Sequence, residues 1–190
     1  GITSDLTTQT SRMDAYLSDS KSENKFCYAG PVIRTKASQD HSRELYQIGI
    51  EYYGNEKIDA DKEVIITLIK SLKLLKIKDI TIDINHLDIF NTFCKKLVIS
   101  KIDENKFAEA VMLKDKNTIK KILDNDNDQN SITMILQLLE IYGDKNSIIE
   151  IESLLKSKKI SSKCLDSLKQ LIQVIEDAGA KVSFDFSDIR

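Results

Sequence analysis

The chain has 190 residues, enough for one hydrophobic core or a core with a satellite. Its 28 basic and 30 acidic residues nearly cancel, so no global field draws it to nucleic acid or to an anionic membrane. No apolar run approaches the ~20 residues of a spanning helix, and the opening GITSDLTTQT has neither the basic nor the apolar region of a secretory leader.

The elements change character near residue 100. DLTTQTSRMDAYL (5–17) places Leu6, Met13 and Leu17 near one helical face, with Asp5 able to cap it. SDSKSENK (18–25) is a polar loop. FCYAGPVIRTK (26–36) is strand-like, and its proline, Pro31, fits an edge or bulged position. ASQDHSRE (37–44) is a polar connection. LYQIGIEYY (45–53) is a second strand, so 26–36 and 45–53 predict a hairpin. Tyr46, Ile48, Ile50 and Tyr52 form what reads as its core face. DADKEVIITLIKSLKLL (59–75) predicts a helix capped by Asp59, with Val64, Ile65, Leu68, Ile69, Leu72 and Leu75 at helical spacing. DITIDIN (79–85) alternates as a half-buried strand, and Leu87, Ile89, Phe90, Phe93 and Leu97 suggest a further helix.

From about Ser100 to Ala178 the pattern is helical throughout. Asp115, Ser131, Asp144 and Ser161 stand where N-caps belong, and Gly143 and Gly179 where C-caps belong. DNDNDQN (124–130) lacks the glycine and closing glutamate of a calcium loop. KVSFDFSDIR closes the chain as a strand, Val182, Phe184 and Phe186 alternating with Ser183 and Asp185. The expected fold class is α+β: an antiparallel sheet with flanking helices, interrupted by an all-helical insertion. The expected segments are 1–99 for a partial core, 100–178 for the insertion and 179–190 for a strand returning to the sheet.

Cys27, Cys94 and Cys164 are widely spaced and form no Cys-x-x-Cys pair, which favours reduced thiols in the cytoplasm. His41 in a polar loop and His86 at a helix start do not assemble a zinc site, and Cys94 among Phe90, Phe93 and Leu97 reads as core. No metal, cofactor or catalytic constellation is expected.

What remains is the second face of the 45–53 strand. Gln47 and Glu51 stand in line on either side of Gly49, which would leave room for something to approach. A carboxylate and an amide suit an ammonium group, and Arg34 on the neighbouring strand suits a carboxylate or phosphate. A solvated outer sheet face has the same alternation, and Asp5 and Thr7 are equally good helix-start residues, so on the residues alone both readings stand.

These segments also carry a resemblance. SDLTTQTSRMDAYL resembles the Arg-x-Asp-Met-Thr-Pro-Gln segment of histidyl-tRNA synthetases, and CYAGPVIRTKASQDHSRELYQIGIEYYG their motif 2 hairpin. ADKEVIITLIKSLKLLKIKDITIDINHLDIF continues that likeness, and VSFDFSDIR resembles the strand before the family's Gly-Tyr-x-Tyr-x-Thr-Gly segment. It covers residues 1 to about 95 and 180 to 190, and implies a class II synthetase-like sheet. Arg34 is followed by Thr35 and Lys36, where true synthetases write Arg-Tyr-Glu with a glutamate serving ATP. CYAGPVIRT and SRELYQIGIEYYG are closer to a paralogue without aminoacylation activity, the regulatory subunit of ATP phosphoribosyltransferase. That resemblance implies a non-catalytic role in the first step of histidine biosynthesis, supporting a short-form catalytic subunit and mediating feedback by histidine. It implies that Gln47 and Glu51, with Asp5 and Thr7, hold the α-ammonium of histidine, and that Arg34 is a relic or a contact to its carboxylate. Motif 1, through which the family self-associates, and motif 3 would lie outside the sequence. The alternative is a fragment of a histidyl-tRNA synthetase catalytic core.

Overall fold

A computed structural model of the chain describes residues 5–17, 22–34, 42–95, 97–124, 127–157 and 163–189. The chain divides into two compact units, residues 1–68 and 69–190, and the division falls inside a helix. The expected loop at 37–44 lies mostly outside the described residues, as do part of that at 18–25, His41 and Ser161.

The first unit holds helix α1 (Leu6–Leu17), strands β1 (Asn24–Ile33) and β2 (Glu44–Tyr53), and the start of helix α2 (Ile58–Leu74). β1 and β2 form the expected antiparallel hairpin, in register from Asn24↔Tyr53 to Ile33↔Glu44. The Arg34 amide extends the ladder by donating to the Arg43 carbonyl at 2.8 Å. On the face expected to be core, Tyr46 and Ile48 are 69% and 73% exposed, whereas Ile50 and Tyr52 are half-buried. The other face, carrying Gln47, Gly49 and Glu51, is half-buried and meets α1. The reason is hydrogen bonding. The first amides of a helix need acceptors, and Leu6 N finds Gln47 Oε1 at 2.9 Å. The apolar stripe expected on α1 is not buried either: Met13 and Leu17 are exposed, and Thr10 is its buried residue. Thr10 Oγ1 lies 2.9 Å from the Thr7 carbonyl and 3.3 Å from Tyr53 Oη. Asp59 does not cap α2, which begins at Ile58. Instead Asp59 and Asp61 occupy its first turn, where a carboxylate complements the helix dipole.

The second unit runs β3 (Thr81–Ile84), α3 (Leu87–Cys94), α4 (Glu104–Met112), α5 (Lys116–Leu123), α6 (Gln129–Leu138), β4 (Tyr142–Gly143), α7 (Asn146–Ser157), α8 (Lys163–Asp177) and β5 (Lys181–Asp185). The strands thus form a two-stranded sheet, β1–β2, and a three-stranded sheet ordered β3–β5–β4. The closing strand pairs with β3 from Thr81↔Lys181 to Ile84↔Phe184, but in parallel. A parallel pair requires a long crossover, and the intervening helices supply it. Phe184 and Phe186 are fully buried and stacked with ring centroids 6.0 Å apart, and Ile135, Ile151 and Leu165 of the helices are fully buried too.

Caps mark the helix ends. Asp115 Oδ1 accepts from the Asn117 and Thr118 amides, and Gly179, at φ +74°, follows α8. His86 Nδ1 accepts from the Asp88 amide at the start of α3. Asp144 Oδ1 accepts from the Asn146 amide at 2.9 Å. Two expectations are corrected. Asp128, not Ser131, caps α6, accepting from Ser131 N at 3.0 Å. Gly143 lies in β4 at φ +119° rather than closing a helix, pairing with Phe184. Among the described residues no helix is long and apolar enough to cross a membrane.

Candidate functional site

The site is assembled on the covered face of the hairpin. The register places Tyr28 opposite Gly49, Phe26 opposite Glu51 and Gly30 opposite Gln47. Leu6 of α1 packs over Gly30, where a Cβ would meet its Cδ1 at 3.5 Å. Asp5, immediately before α1, accepts on Oδ1 from the Thr7 amide and from Gln47 Nε2, each at 3.0 Å. Gln47 therefore spans α1, with its Oε1 on Leu6 N and its Nε2 on Asp5. At the end of β1 the Arg34 guanidinium stands 3.8 Å from Asp5 Oδ2.

The five residues singled out from sequence, Asp5, Thr7, Arg34, Gln47 and Glu51, fall within one network. What joins them is a residue that sequence reasoning did not single out. Tyr28 Oη lies 2.9 Å from Thr7 Oγ1, donates to Glu51 Oε1 at 3.2 Å and receives Gln47 Nε2 at 3.5 Å. The signal was present: in a two-stranded hairpin of this register a tyrosine opposite a glycine lays its ring over the bare position. The space above Gly49 is accordingly not open. A Cβ there would come within 2.2 Å of Tyr28 Cζ.

The electrostatics follow the geometry. Gln47's hydrogen bond, the Thr7 amide and the Arg34 charge hold the Asp5 carboxyl below its ordinary value. Thr7's hydrogen bond draws the Tyr28 phenol down, but burial and the nearby carboxylates of Glu51 and Asp5 outweigh it, and its pKa is raised. The cluster thus carries acidic oxygens at its centre and a guanidinium at its rim, a distribution that complements a zwitterion with its ammonium inward. Elsewhere, no group of three or more His, Cys, Asp or Glu side chains that could hold a metal occurs among the described residues. Cys94 is packed among core residues, and burial pushes its thiol up to about 12.

The model of one protein family, described as histidyl-tRNA synthetase, matches residues 1–190. The chain belongs to the histidyl-tRNA synthetase family. Several curated relatives are named as ATP phosphoribosyltransferase regulatory subunits. That of Albidiferax ferrireducens is 30% identical over 191 residues, covering 100% of this chain and 49% of the relative. Those of Nitrosospira multiformis and Saccharophagus degradans are each 31% identical, covering 100% of this chain and 49% and 50% of the relatives. The chain spans about half the length of the curated relatives it matches. Among solved structures, one described as an ATP phosphoribosyltransferase regulatory subunit/histidyl-tRNA synthetase from Bacillus halodurans superposes with a TM-score of 0.78 at 23% identity, over 98% of this chain and 50% of that one. The ATP phosphoribosyl transferase (HisG:HisZ) complex from Thermotoga maritima contributes a match with a TM-score of 0.73 at 17% identity, over 99% of this chain and 65% of that one. The α+β, class II synthetase-like fold expected for this member of the histidyl-tRNA synthetase family is therefore the fold it has.

Proposed function

We propose that this protein serves as the non-catalytic regulatory subunit of ATP phosphoribosyltransferase at the first step of histidine biosynthesis. It works in the cytoplasm beside a short-form catalytic subunit, self-associates through a motif 1 region outside this sequence, and mediates feedback by histidine. It needs no cofactor of its own. Residues 1–99 and 179–190 act as a partial synthetase-like core, and 100–178 as its helical insertion. The name shared by the curated relatives supports the assignment. The observation that carries the ligand is the single network of Asp5, Thr7, Gln47 and Glu51 with Arg34 at its rim. The α-ammonium of histidine would lie toward Glu51 and Asp5, and its carboxylate toward Arg34.

Glu51→Gln tests the site, because it keeps the shape and removes one negative charge. A charge-assisted hydrogen bond contributes ~1.5–3 kcal/mol, so histidine affinity measured by calorimetry should fall about tenfold or more. A folded variant that binds histidine like the parent excludes this cluster as the histidine site. A second reading, a fragment of a synthetase core, is favoured by the description of the matching family model. Supplying tRNA, ATP and histidine separates the two: the regulatory reading expects no charged tRNA.

A further inference from the structure

We infer that Tyr28 is a placeholder for the ligand's ammonium group, and that its ring must leave Gly49 for an amino acid to enter. The inference rests on the amino-acid-binding reading above and extends it to how the site is gated and what it selects.

Space is the first argument. Gly49 is the one position of β2 on the polar face without a side chain, and the far end of the Tyr28 ring covers it, Cζ and Oη both 2.2 Å from where a Cβ would stand. Anything lying over β2 between Gln47 and Glu51 meets that ring first. Hydrogen-bond capacity is the second. A phenol has one donor and two acceptor positions. Tyr28 Oη spends its donor on Glu51 Oε1, and Thr7 Oγ1 and Gln47 Nε2 take its acceptor positions. It keeps nothing to offer a ligand in place. Gln47 is committed likewise, with Oε1 on Leu6 N and Nε2 on Asp5 and Tyr28.

An entering ammonium therefore competes with the phenol for the same oxygen, Glu51 Oε1. Both hydrogen bonds are charge-assisted by the Glu51 carboxylate, but the ammonium adds a full opposite charge that the neutral phenol lacks. Rotation about the Tyr28 side chain frees the oxygen, and the β2 position beneath the ring's far end, Gly49, has no side chain to hold the ring there. Selectivity follows. A ligand with the same ring and carboxylate but no ammonium has no charge with which to displace the phenol, and it is refused.

Calorimetric titration of histidine into the parent, Tyr28→Phe and Glu51→Gln tests this. Tyr28→Phe keeps the ring but removes every hydrogen bond that opposes its departure. Histidine affinity should rise about tenfold, and imidazole-propionate, which lacks the ammonium, should bind Tyr28→Phe detectably and the parent not. The chain has 6 tyrosines and no tryptophan, so tyrosine emission is readable. Histidine should raise it in the parent as the phenol leaves Glu51, and the change should be absent in Tyr28→Phe. If Glu51→Gln weakens binding while Tyr28→Phe leaves affinity unchanged or lowers it, the placeholder role is overturned and the site stands. If folded Glu51→Gln binds like the parent, the site itself is wrong and the placeholder falls with it.

Discussion

Gly49→Ala turns the contact between Tyr28 and Gly49 into a stability measurement that needs no ligand. The added methyl would lie 2.2 Å from Tyr28 Cζ and 2.6 Å from its Cε2, so the ring must swing away. Swinging away breaks the hydrogen bonds of Oη to Thr7, Glu51 and Gln47. Each contributes ~0.5–1.5 kcal/mol, and half-exposure of the ring favours the lower end, giving a loss of about 2 kcal/mol. Replacing glycine within a strand contributes about 0.5–1 kcal/mol in the opposite direction. The net effect is a destabilisation of roughly 1 kcal/mol. In a Tyr28→Ala background only the favourable part remains, and the same substitution should stabilise by about 0.5–1 kcal/mol. The sign reverses, and a coupling of about 2 kcal/mol is well outside the ~0.3–0.5 kcal/mol scatter of independent sites. Urea midpoints of the four proteins, read by tyrosine emission with m-values compared, give the cycle. Equal shifts for Gly49→Ala in both backgrounds would show that the ring does not rest on this glycine.

Other expectations concern acid, thiols and the core. Asp5 has a lowered pKa, so the stability it lends the start of α1 is present above the ordinary carboxylate value of 3.8 and is lost as pH falls through its folded value. Protection of the Thr7 amide, taken relative to the intrinsic exchange rate at each pH, should fall in acid, and Asp5→Asn should flatten that dependence. Glu152, tied to Lys169 and Lys156, has its pKa pushed down from 4.5 to about 2, so the stability of its link between α7 and α8 is fully present above about 4.5, is lost as pH falls toward 2, and weakens in high salt. Glu152→Gln should erase both dependences in thermal melts. Cys94, with its thiol pushed up to about 12, should resist iodoacetamide until urea is added, whereas exposed Cys27 is labelled in the native protein; peptide mass spectrometry distinguishes them. Phe186 is fully buried, and Phe186→Ala should cost ~3–5 kcal/mol in urea unfolding.

Features set by a residue and its near neighbours were legible in the sequence. Asp115 and Gly179 cap as expected because a side-chain acceptor and a left-handed glycine act within one turn. Where two cap-forming residues stand within one turn, local reasoning could not rank them. Asp128 and Ser131 each suit an N-cap, and they cooperate, Ser131 Oγ donating to Asp128 Oδ2 at 2.7 Å. The direction of β5 was not legible, since the alternation of Val182, Phe184 and Phe186 is the same for a parallel and an antiparallel strand. Pairing with β3 decides it, and β3 lies about a hundred residues upstream.

The hairpin faces teach the same lesson with a functional consequence. Period-two alternation tells that two faces differ, not which of them is covered. Tyr46 and Ile48 looked like core and are exposed because α1 brings Asp5, Thr7 and Thr10 to the opposite face. A face covered by hydrogen bonds depends on direction and charge, where an apolar one depends on area. Each bond between α1 and the hairpin can be exchanged for one to a ligand of matching polarity, whereas apolar contacts would have to be broken outright. The five residues were found because polar groups in line on a strand are visible at period two. Tyr28 was not, because its place over Gly49 belongs to the pairing of two strands and to neither strand by itself.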